Sequence, residues 1–102
     1  MMLSIIVPHF NSPALLQRLL DSIPNQENVE VLVIDDLSNS HLKEYYECKD
    51  RNSDRNVIFL NNTVQNKGAG GARNVGLAHA KGKWLLFADS DDYFVDGFID
   101  TI

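Results

Sequence analysis

Cysteine, clustered positive charge and long apolar runs are all scarce in this 102-residue chain, and each scarcity excludes a class of protein. Cys48 is the only cysteine, so the chain has no internal disulfide and no thiolate cluster for zinc, which favours a reducing, cytoplasmic location. Nine basic residues against 14 acidic ones give a net charge of -5, which excludes nonspecific binding to nucleic acid. The apolar start, residues 1–7, is far shorter than the roughly 20 residues of a membrane span.

What the chain does have is a set of four apolar segments rich in β-branched residues. Their apolar residues are continuous rather than alternating, which is typical of strands covered on both faces of a sheet. We therefore predict four buried β-strands, and they lie at residues 3–7, 29–35, 57–60 and 84–89.

Three helices are predicted between these strands. Ser12 and Pro13 suit the first positions of a helix whose leucines recur at helical spacing, and Pro24 ends that pattern. A weaker pattern covers residues 40–51, and small apolar residues mark a third helix over residues 72–80. This order predicts a single α/β domain: a mostly parallel, Rossmann-like sheet with helices on both faces. Ligands of such sheets bind beyond the carboxyl ends of the strands.

Five aspartates follow two of these strands, at the edge where a ligand would bind. Any one of them could simply start a turn or cap a helix. As a group they repel one another and repel phosphate, unless a divalent cation neutralises them. Mg²⁺ or Mn²⁺ prefers such oxygen ligands and would make the edge attractive to a diphosphate. The five are Asp35, Asp36, Asp89, Asp91 and Asp92.

A glycine-rich segment, residues 66–76, precedes the third predicted helix. Gly68 and Gly70 occupy two glycine positions of the dinucleotide-binding pattern G-x-G-x-x-G, but Arg73 stands at the third. Glycines still permit close approach of the backbone to a ligand, and a helix start favours anions. We expect Arg73 either to bind a phosphate or carboxylate or to be solvated in a plain turn. His9 lies near the predicted edge, and a catalytic Cys48 thiol stays open.

Three segments together resemble the amino-terminal half of family 2 glycosyltransferases. They are "SIIVPHFNSPALLQRLLDSI", "VEVLVIDDLSNS" and "NKGAGGARNVGLAHAKGKWLLFADSDD". The resemblance implies a GT-A fold that binds a nucleotide-sugar donor, a UDP-sugar, with Mn²⁺ or Mg²⁺. It also implies inverting transfer of the sugar to the hydroxyl of a carbohydrate or lipid-linked acceptor.

The resemblance also implies roles for individual residues. Asp36 matches the family aspartate that accepts a hydrogen bond from the uracil N3–H, and Arg73 matches an arginine near the base and phosphates. Asp89 to Asp91 match the D-x-D motif, which contacts the ribose and the metal-bound diphosphate. The predicted donor-binding residues are Pro8, His9, Phe10, Asp35, Asp36, Gly68, Arg73, Asp89, Ser90 and Asp91, and the predicted metal ligands are Asp91, Asp89 and Asp92.

The chain departs from the family pattern at two positions and lacks one part of it. Leu37 stands where the family has glycine, which predicts an altered turn, and His9 replaces a small or hydroxyl residue. The resemblance places the general base well beyond the D-x-D motif, so we assign no catalytic residue here. We expect residues 1–102 to be the donor-binding segment of a longer enzyme at the cytoplasmic face of a membrane, and homo-oligomers are an open expectation.

Two other functions share parts of these features. A nucleotidyltransferase that makes sugar nucleotides has a similar fold, but it carries a glycine-rich stretch after the first strand, where "PHFNSP" stands here. A receiver-like, Mg²⁺-binding regulatory module has its acidic pair after the first strand rather than the second. Both alternatives place the chemistry at the same edge of the sheet.

Overall fold

The computed structural model describes residues 3–62 and 69–89 and confirms the predicted alternation of strands and helices. Within those residues, no helix combines the length and the apolar character that a membrane crossing requires. The elements are β1 (Leu3–His9), α1 (Pro13–Asp21), β2 (Val29–Asp35), α2 (Leu42–Arg51), β3 (Val57–Asn61), α3 (Ala69–His79) and β4 (Trp84–Phe87).

The four strands form one parallel sheet in the order β3-β2-β1-β4. From β1 the chain moves outward to β2 and then β3, and it returns across the sheet through α3 to place β4 on the other side of β1. The strand order therefore reverses between β1 and β4. In open parallel sheets, the crevice outside the carboxyl ends at such a reversal is where ligands bind.

Helices cover both faces of the sheet, as predicted. One face packs against α1, whose Leu16, Leu19 and Leu20 are fully buried, and against Tyr45 and Cys48 of α2. Burying each leucine contributes about 2 kcal/mol to stability. The other face packs against α3. Because Gly76 has no side chain, this helix approaches the sheet closely. A Cβ atom at Gly76 would lie 2.5 Å from the Ile6 side chain.

Several details differ from the sequence prediction. β1 extends two residues further, to His9, because β2 continues to pair with it as far as Asp35. α2 begins at Leu42, α3 begins at Ala69 rather than at residue 72, and β4 ends at Phe87. The expectation that all four strands are buried on both faces is wrong for β4, where Trp84 is 59% exposed, and for β3, where Ile58 is 36% exposed. These two strands are the two ends of the sheet order.

Candidate functional site

The candidate site lies at the carboxyl edge of the sheet, where two loops follow adjacent strands. The β1 loop is residues 10–12, and the β2 loop is residues 36–41. Across the strand reversal from them, the end of β4 approaches the first turns of α3. Parallel pairing alone brings these segments together, because it aligns the carboxyl ends of all four strands at one edge.

His9 is the last residue of β1, and its ring is buried. Its Nε2 accepts a hydrogen bond from the backbone N–H of Ser12 (3.0 Å), so the ring proton is on Nδ1, which donates to Asp35 Oδ1 (2.9 Å). The ring also stacks on Tyr45 of α2, with centroids 4.9 Å apart. Both ring nitrogens are therefore engaged within the protein, and any influence of His9 on a ligand passes through its neighbours.

Asp35 is the register partner of His9 on β2, and it is buried as well. Its Oδ1 accepts hydrogen bonds from His9 and from the hydroxyl of Ser38, and its Oδ2 accepts one from the Ser38 backbone N–H (2.9 Å). The carboxylate thus begins the β2 loop and ties it to β1. Such charge-assisted bonds are about twice as strong as neutral ones.

Phe10 and Asp36 come one position beyond this buried pair, and both reach the surface. Phe10 is 51% exposed. Asp36 is half-buried; its backbone N–H donates to the His9 carbonyl (2.9 Å), and its Oδ1 accepts a bond from the Asn62 amide (2.8 Å). Pro8 lies on β1 opposite Ile34 and is partly exposed. Of the residues predicted after β1 and β2, Phe10 and Asp36 are placed best to touch a ligand.

Asn11 joins the two loops, and it is not among the site residues predicted from the sequence. Its backbone N–H donates to the Ser38 hydroxyl (2.9 Å), its side-chain oxygen accepts from the backbone N–H groups of Asn39 (2.9 Å) and Ser40 (3.1 Å), and its amide donates to the Asn39 side chain. The sequence does hint at this role, because Asn11 lies in a polar run after β1, "PHFN", and asparagine often makes such local bonds in turns.

Backbone strain in the described residues concentrates in these loops. The non-glycine residues with positive φ are Asn11 (53°), Leu37 (60°) and His41 (56°), and all three lie at the carboxyl edge. Leu37, for which an altered turn was predicted, adopts the left-handed conformation that glycine tolerates without steric cost. A leucine thus occupies a backbone position suited to glycine, and it is 52% exposed.

Arg73 and Asp89 meet on the far side of the strand reversal. Arg73 Nη2 of α3 lies 3.5 Å from Asp89 Oδ1, which follows β4, and the guanidinium lies 5.8 Å from the centroid of the Phe87 ring. Both charged side chains are well exposed, so the pair contributes at most about 1 kcal/mol. A ligand could therefore engage either group. The remaining predicted residues, Gly68, Ser90, Asp91 and Asp92, lie outside the described part of the chain.

The described part of the glycine-rich segment, residues 69–76, is helical rather than a loop. Gly70 and Gly71 lie inside the first turn of α3, because that helix begins at Ala69. A Cβ atom at Gly70 would meet no atom within 4 Å, so this glycine is not required for close packing or for an unusual backbone conformation. Arg73 consequently projects from the helix one turn after its start rather than from a turn.

Burial raises the pKa of two side chains on α2, those of Cys48 and Tyr45. The raised pKa of Cys48 argues against a catalytic thiol. Burial is the main cause that raises the pKa of Cys48 to about 11, and the charge of Asp21 adds to it. Burial also raises the pKa of Tyr45, with a smaller effect of the Asp35 charge. A buried thiol that stays protonated at neutral pH is a packing residue rather than a nucleophile.

Among the described residues, neither a cluster of metal ligands nor a groove marks the strand reversal. Residues 3–62 and 69–89 contain no group of three or more His, Cys, Asp or Glu side chains placed to hold a metal ion. A groove of about 410 Å³ lies between α1 and α2, and it meets the candidate site only at Asn11, Ser12 and His41. A smaller one of about 240 Å³ lies beneath α2 beside β3, and Asp35, Leu37 and Ser38 of the candidate site form part of its lining. Neither groove is at the strand reversal, so concavity alone does not identify the site.

Comparisons with known proteins agree with the resemblance seen in the sequence. The family described as "Glycosyl transferase family 2" matches residues 4–101. A Campylobacter jejuni protein named GalNAc(5)-diNAcBac-PP-undecaprenol beta-1,3-glucosyltransferase is 36% identical over 98% of this chain and 33% of its own length. The S. aureus TarS 1-349 crystal structure in complex with UDP-GlcNAc superimposes with a TM-score of 0.81, at 35% identity, over 99% of this chain and 30% of that one.

A second solved structure shares the fold at greater evolutionary distance. The mannosyltransferase PcManGT from Pyrobaculum calidifontis, in complex with GDP-Man and Mn²⁺, matches with a TM-score of 0.73 and 26% identity over 90% of this chain and 28% of that one. The chain thus spans about a third of the length of each of these three proteins. These matches favour the glycosyltransferase interpretation over the nucleotidyltransferase and the regulatory module.

Proposed function

From the premise that this chain belongs to glycosyl transferase family 2, we propose that its carboxyl edge binds the nucleotide-sugar donor of an inverting sugar transfer. The donor we propose is a UDP-sugar, because TarS, at 35% identity, was crystallised with UDP-GlcNAc. The acceptor we propose is a hydroxyl of a carbohydrate or of a lipid-linked glycan, of the kind that the C. jejuni relative's name describes. We propose that this occurs in the cytoplasm, at the face of the membrane.

The observation that carries the proposal is the arrangement around the strand reversal. Phe10 and Asp36 lie on one side of it, at the ends of β1 and β2. Arg73 and Asp89 lie on the other side, in contact with each other. An aromatic ring and a carboxylate suit a base with an N–H donor, while a guanidinium suits phosphate oxygens. A nucleoside diphosphate offers these groups in that order along its length.

Within this arrangement the described residues have distinct proposed tasks. The Asp36 carboxylate accepts a hydrogen bond from the uracil N3–H, and Phe10 packs on the base. Arg73 leaves its exposed pairing with Asp89 to bind a phosphate, which costs little because that pair is weak. Asp89 contacts the ribose. The general base that deprotonates the acceptor is not assigned to any residue of this chain.

A divalent cation is part of the proposal, and the chemistry of the donor set supports it. Asp89 is an exposed carboxylate at the end of β4, and Asp91 and Asp92 follow it directly in the sequence. We assign Mn²⁺ or Mg²⁺ to Asp91, with Asp89 and Asp92 as further ligands. The ion would neutralise the diphosphate that leaves the sugar. Ser90 and Gly68 complete the predicted donor contacts.

Calorimetric titration of the 102-residue chain tests this function. We expect UDP to bind in the presence of Mn²⁺ and to bind at least tenfold more weakly after chelation of the metal by EDTA, because the acidic residues then repel the phosphates. GDP is the matched control ligand, and we expect it to bind more weakly than UDP. Absence of heat for UDP with Mn²⁺, from protein shown to be folded by circular dichroism, would contradict the proposal.

A further inference from the structure

We propose that Asn11, Ser38 and the buried His9–Asp35 pair are positioning residues for the donor, and that they act by locking the β1 loop to the β2 loop. We call this set of four residues the loop clasp. The inference rests on the proposed function, since it concerns the same site. It differs from the sequence prediction, in which His9 and Asp35 were themselves donor contacts.

The outer part of the clasp is the Asn11 side chain, which reaches across to the neighbouring loop. Its oxygen accepts from two successive backbone N–H groups, those of Asn39 and Ser40, at 2.9 and 3.1 Å. Its amide donates to the Asn39 side chain at 2.9 Å. One side chain thus makes three hydrogen bonds to a segment 28 and 29 residues away in sequence. Their common effect is to fix the separation of the two loops.

The inner part of the clasp is a chain of hydrogen bonds beneath Asn11. The Asn11 backbone N–H donates to the Ser38 hydroxyl, and that hydroxyl donates to Asp35. Asp35 accepts from His9, and His9 accepts from the Ser12 backbone N–H. The path begins at Asn11 and returns to Ser12, so it closes on the β1 loop. Within the described residues, every buried side-chain nitrogen and oxygen atom has a partner.

The backbone of both loops depends on such support. Asn11 and Leu37 each have positive φ, a conformation that persists in non-glycine residues only when the surroundings hold it. Asparagine tolerates this conformation better than most residues, which suits it to its position in the clasp. Without the clasp, we expect the two loops to sample other conformations before a ligand binds.

The two proposed contacts to the base, Phe10 and Asp36, are direct sequence neighbours of residues of the loop clasp. Phe10 follows His9 and precedes Asn11, and Asp36 follows Asp35 and precedes Leu37. The Asp36 backbone N–H also donates to the His9 carbonyl. The distance between the aromatic ring and the carboxylate that would hold the base is therefore set by the clasp. Ordering these loops beforehand removes an entropic cost that binding would otherwise carry.

The variant Asn11→Gly tests the outer part of the clasp. It deletes the three side-chain bonds, and glycine accepts φ of 53° without strain, so the fold is retained. We expect the UDP dissociation constant with Mn²⁺ to rise about tenfold. We also expect faster hydrogen exchange at the Asn39 and Ser40 amides of the free protein. Asn56→Gly is the matched control, because it makes the same substitution at an asparagine whose amide donates to the Val29 carbonyl (2.9 Å) at the amino end of the sheet; it should leave UDP affinity within twofold.

Ser38 provides the test of the inner part. Ser38→Ala removes the hydroxyl that links Asn11 to Asp35 and should weaken UDP binding to a similar degree, whereas Ser38→Thr keeps the hydroxyl and should restore it. A role in stability alone would change the melting temperature without this pattern in the dissociation constants.

Two results would overturn the inference, and they separate it from the proposed function. If Asn11→Gly speeds exchange at the Asn39 and Ser40 amides but binds UDP as the unaltered chain does, the clasp orders the loops without positioning the donor. If exchange at those amides is unchanged, the side-chain bonds do not hold the loops at all. Failure of the unaltered chain to bind UDP would instead refute the proposed function, and the inference would fall with it.

Discussion

Two buried hydrogen-bonded pairs join β1 to β2 at opposite ends of the sheet, and each consists of register partners. At the amino end, the Ser4 hydroxyl donates to the Glu30 carboxylate at 2.5 Å. At the carboxyl end, His9 donates to the Asp35 carboxylate at 2.9 Å. Both carboxylates belong to β2, and both are buried. By residue type and burial alone, either pair would be a reasonable candidate for a functional site.

The pairs differ in what they hold. Glu30 also accepts the Lys81 backbone N–H, and Ser4 accepts that of Gly82, so the amino-end pair fixes the turn that leads into β4. That turn is tight, because a Cβ atom at Gly82 would lie 2.5 Å from Ser4. The carboxyl-end pair holds two loops that contain strained residues and that flank exposed polar groups. The position of a buried carboxylate along the strand, rather than its burial, indicates its part in function.

The largest effect on stability is expected from Glu30→Ala at the amino end. It leaves the Ser4 hydroxyl and the Lys81 backbone N–H without their acceptor in a buried region, which costs about 3 kcal/mol of unfolding free energy. Urea denaturation measures this loss. Glu30→Gln, which keeps an acceptor oxygen, should lose about 1 kcal/mol.

Glu30→Ala also tests whether the pair at the amino end of the sheet acts independently of the candidate site at the carboxyl end. Under conditions where Glu30→Ala is folded, its UDP dissociation constant should stay within twofold of that of the unaltered chain. A rise of fivefold or more would show that the amino-end pair is coupled to the candidate site, and the distinction drawn between the two pairs would be lost.

An intermediate effect on stability is expected from Asp35→Asn at the carboxyl end, and Asp36→Asn is the same substitution at the adjacent residue. Asp35→Asn should cost about 2 kcal/mol, because whichever way the new amide turns, its NH₂ group faces the N–H of His9 or of Ser38. Asp36→Asn should change stability by less than about 0.5 kcal/mol, since Asp36 is only half-buried and the new amide keeps an oxygen that can accept the bond from Asn62. Thermal and urea unfolding measure both.

Donor binding should separate these two variants in the opposite way. Asp36→Asn replaces a charged acceptor with a neutral one at the uracil, so UDP affinity should fall about fivefold with stability intact. Asp35→Asn should lower affinity and stability together, because it loosens the clasp. If Asp36→Asn bound UDP normally while it remained folded, Asp36 would not be the base-binding carboxylate.

The smallest effect is expected from Leu37→Gly, which probes the backbone strain that residues 3–62 and 69–89 show at the carboxyl end. Glycine removes the steric cost of φ near 60°, and this exceeds its extra entropy in the unfolded chain, so unfolding free energy should rise by about 0.5 kcal/mol. Leu37→Ala keeps a Cβ atom and should bring no gain. A destabilised glycine variant would mean that the partly exposed leucine side chain packs more usefully than its backbone costs.

Much of the fold could be predicted because its signals are local. The leucines of α1, the proline that begins it and the apolar run of β2 each identify an element from a short window of sequence. The exposure of β4 could not be predicted in this way. Its apolar run "WLLF" has the composition of a central strand, and only the sheet order places it at the end. Similarly, the glycines before Arg73 indicated a loop, yet α3 begins at Ala69 and includes Gly70 and Gly71.

Local sequence signals were enough to predict the order of elements, the parallel α/β class and the carboxyl edge at which polar residues gather, because period, composition and turn residues act over a few positions. The difference between two adjacent aspartates arises from folding: Asp35 is enclosed by His9 and Ser38, while Asp36 remains half-buried beside Asn62. Folding also places Asn11 across the gap between the loops. The bonds from His9, Asn62 and Asn11 join residues 26 or more positions apart, and such pairings exist only once the strands have aligned.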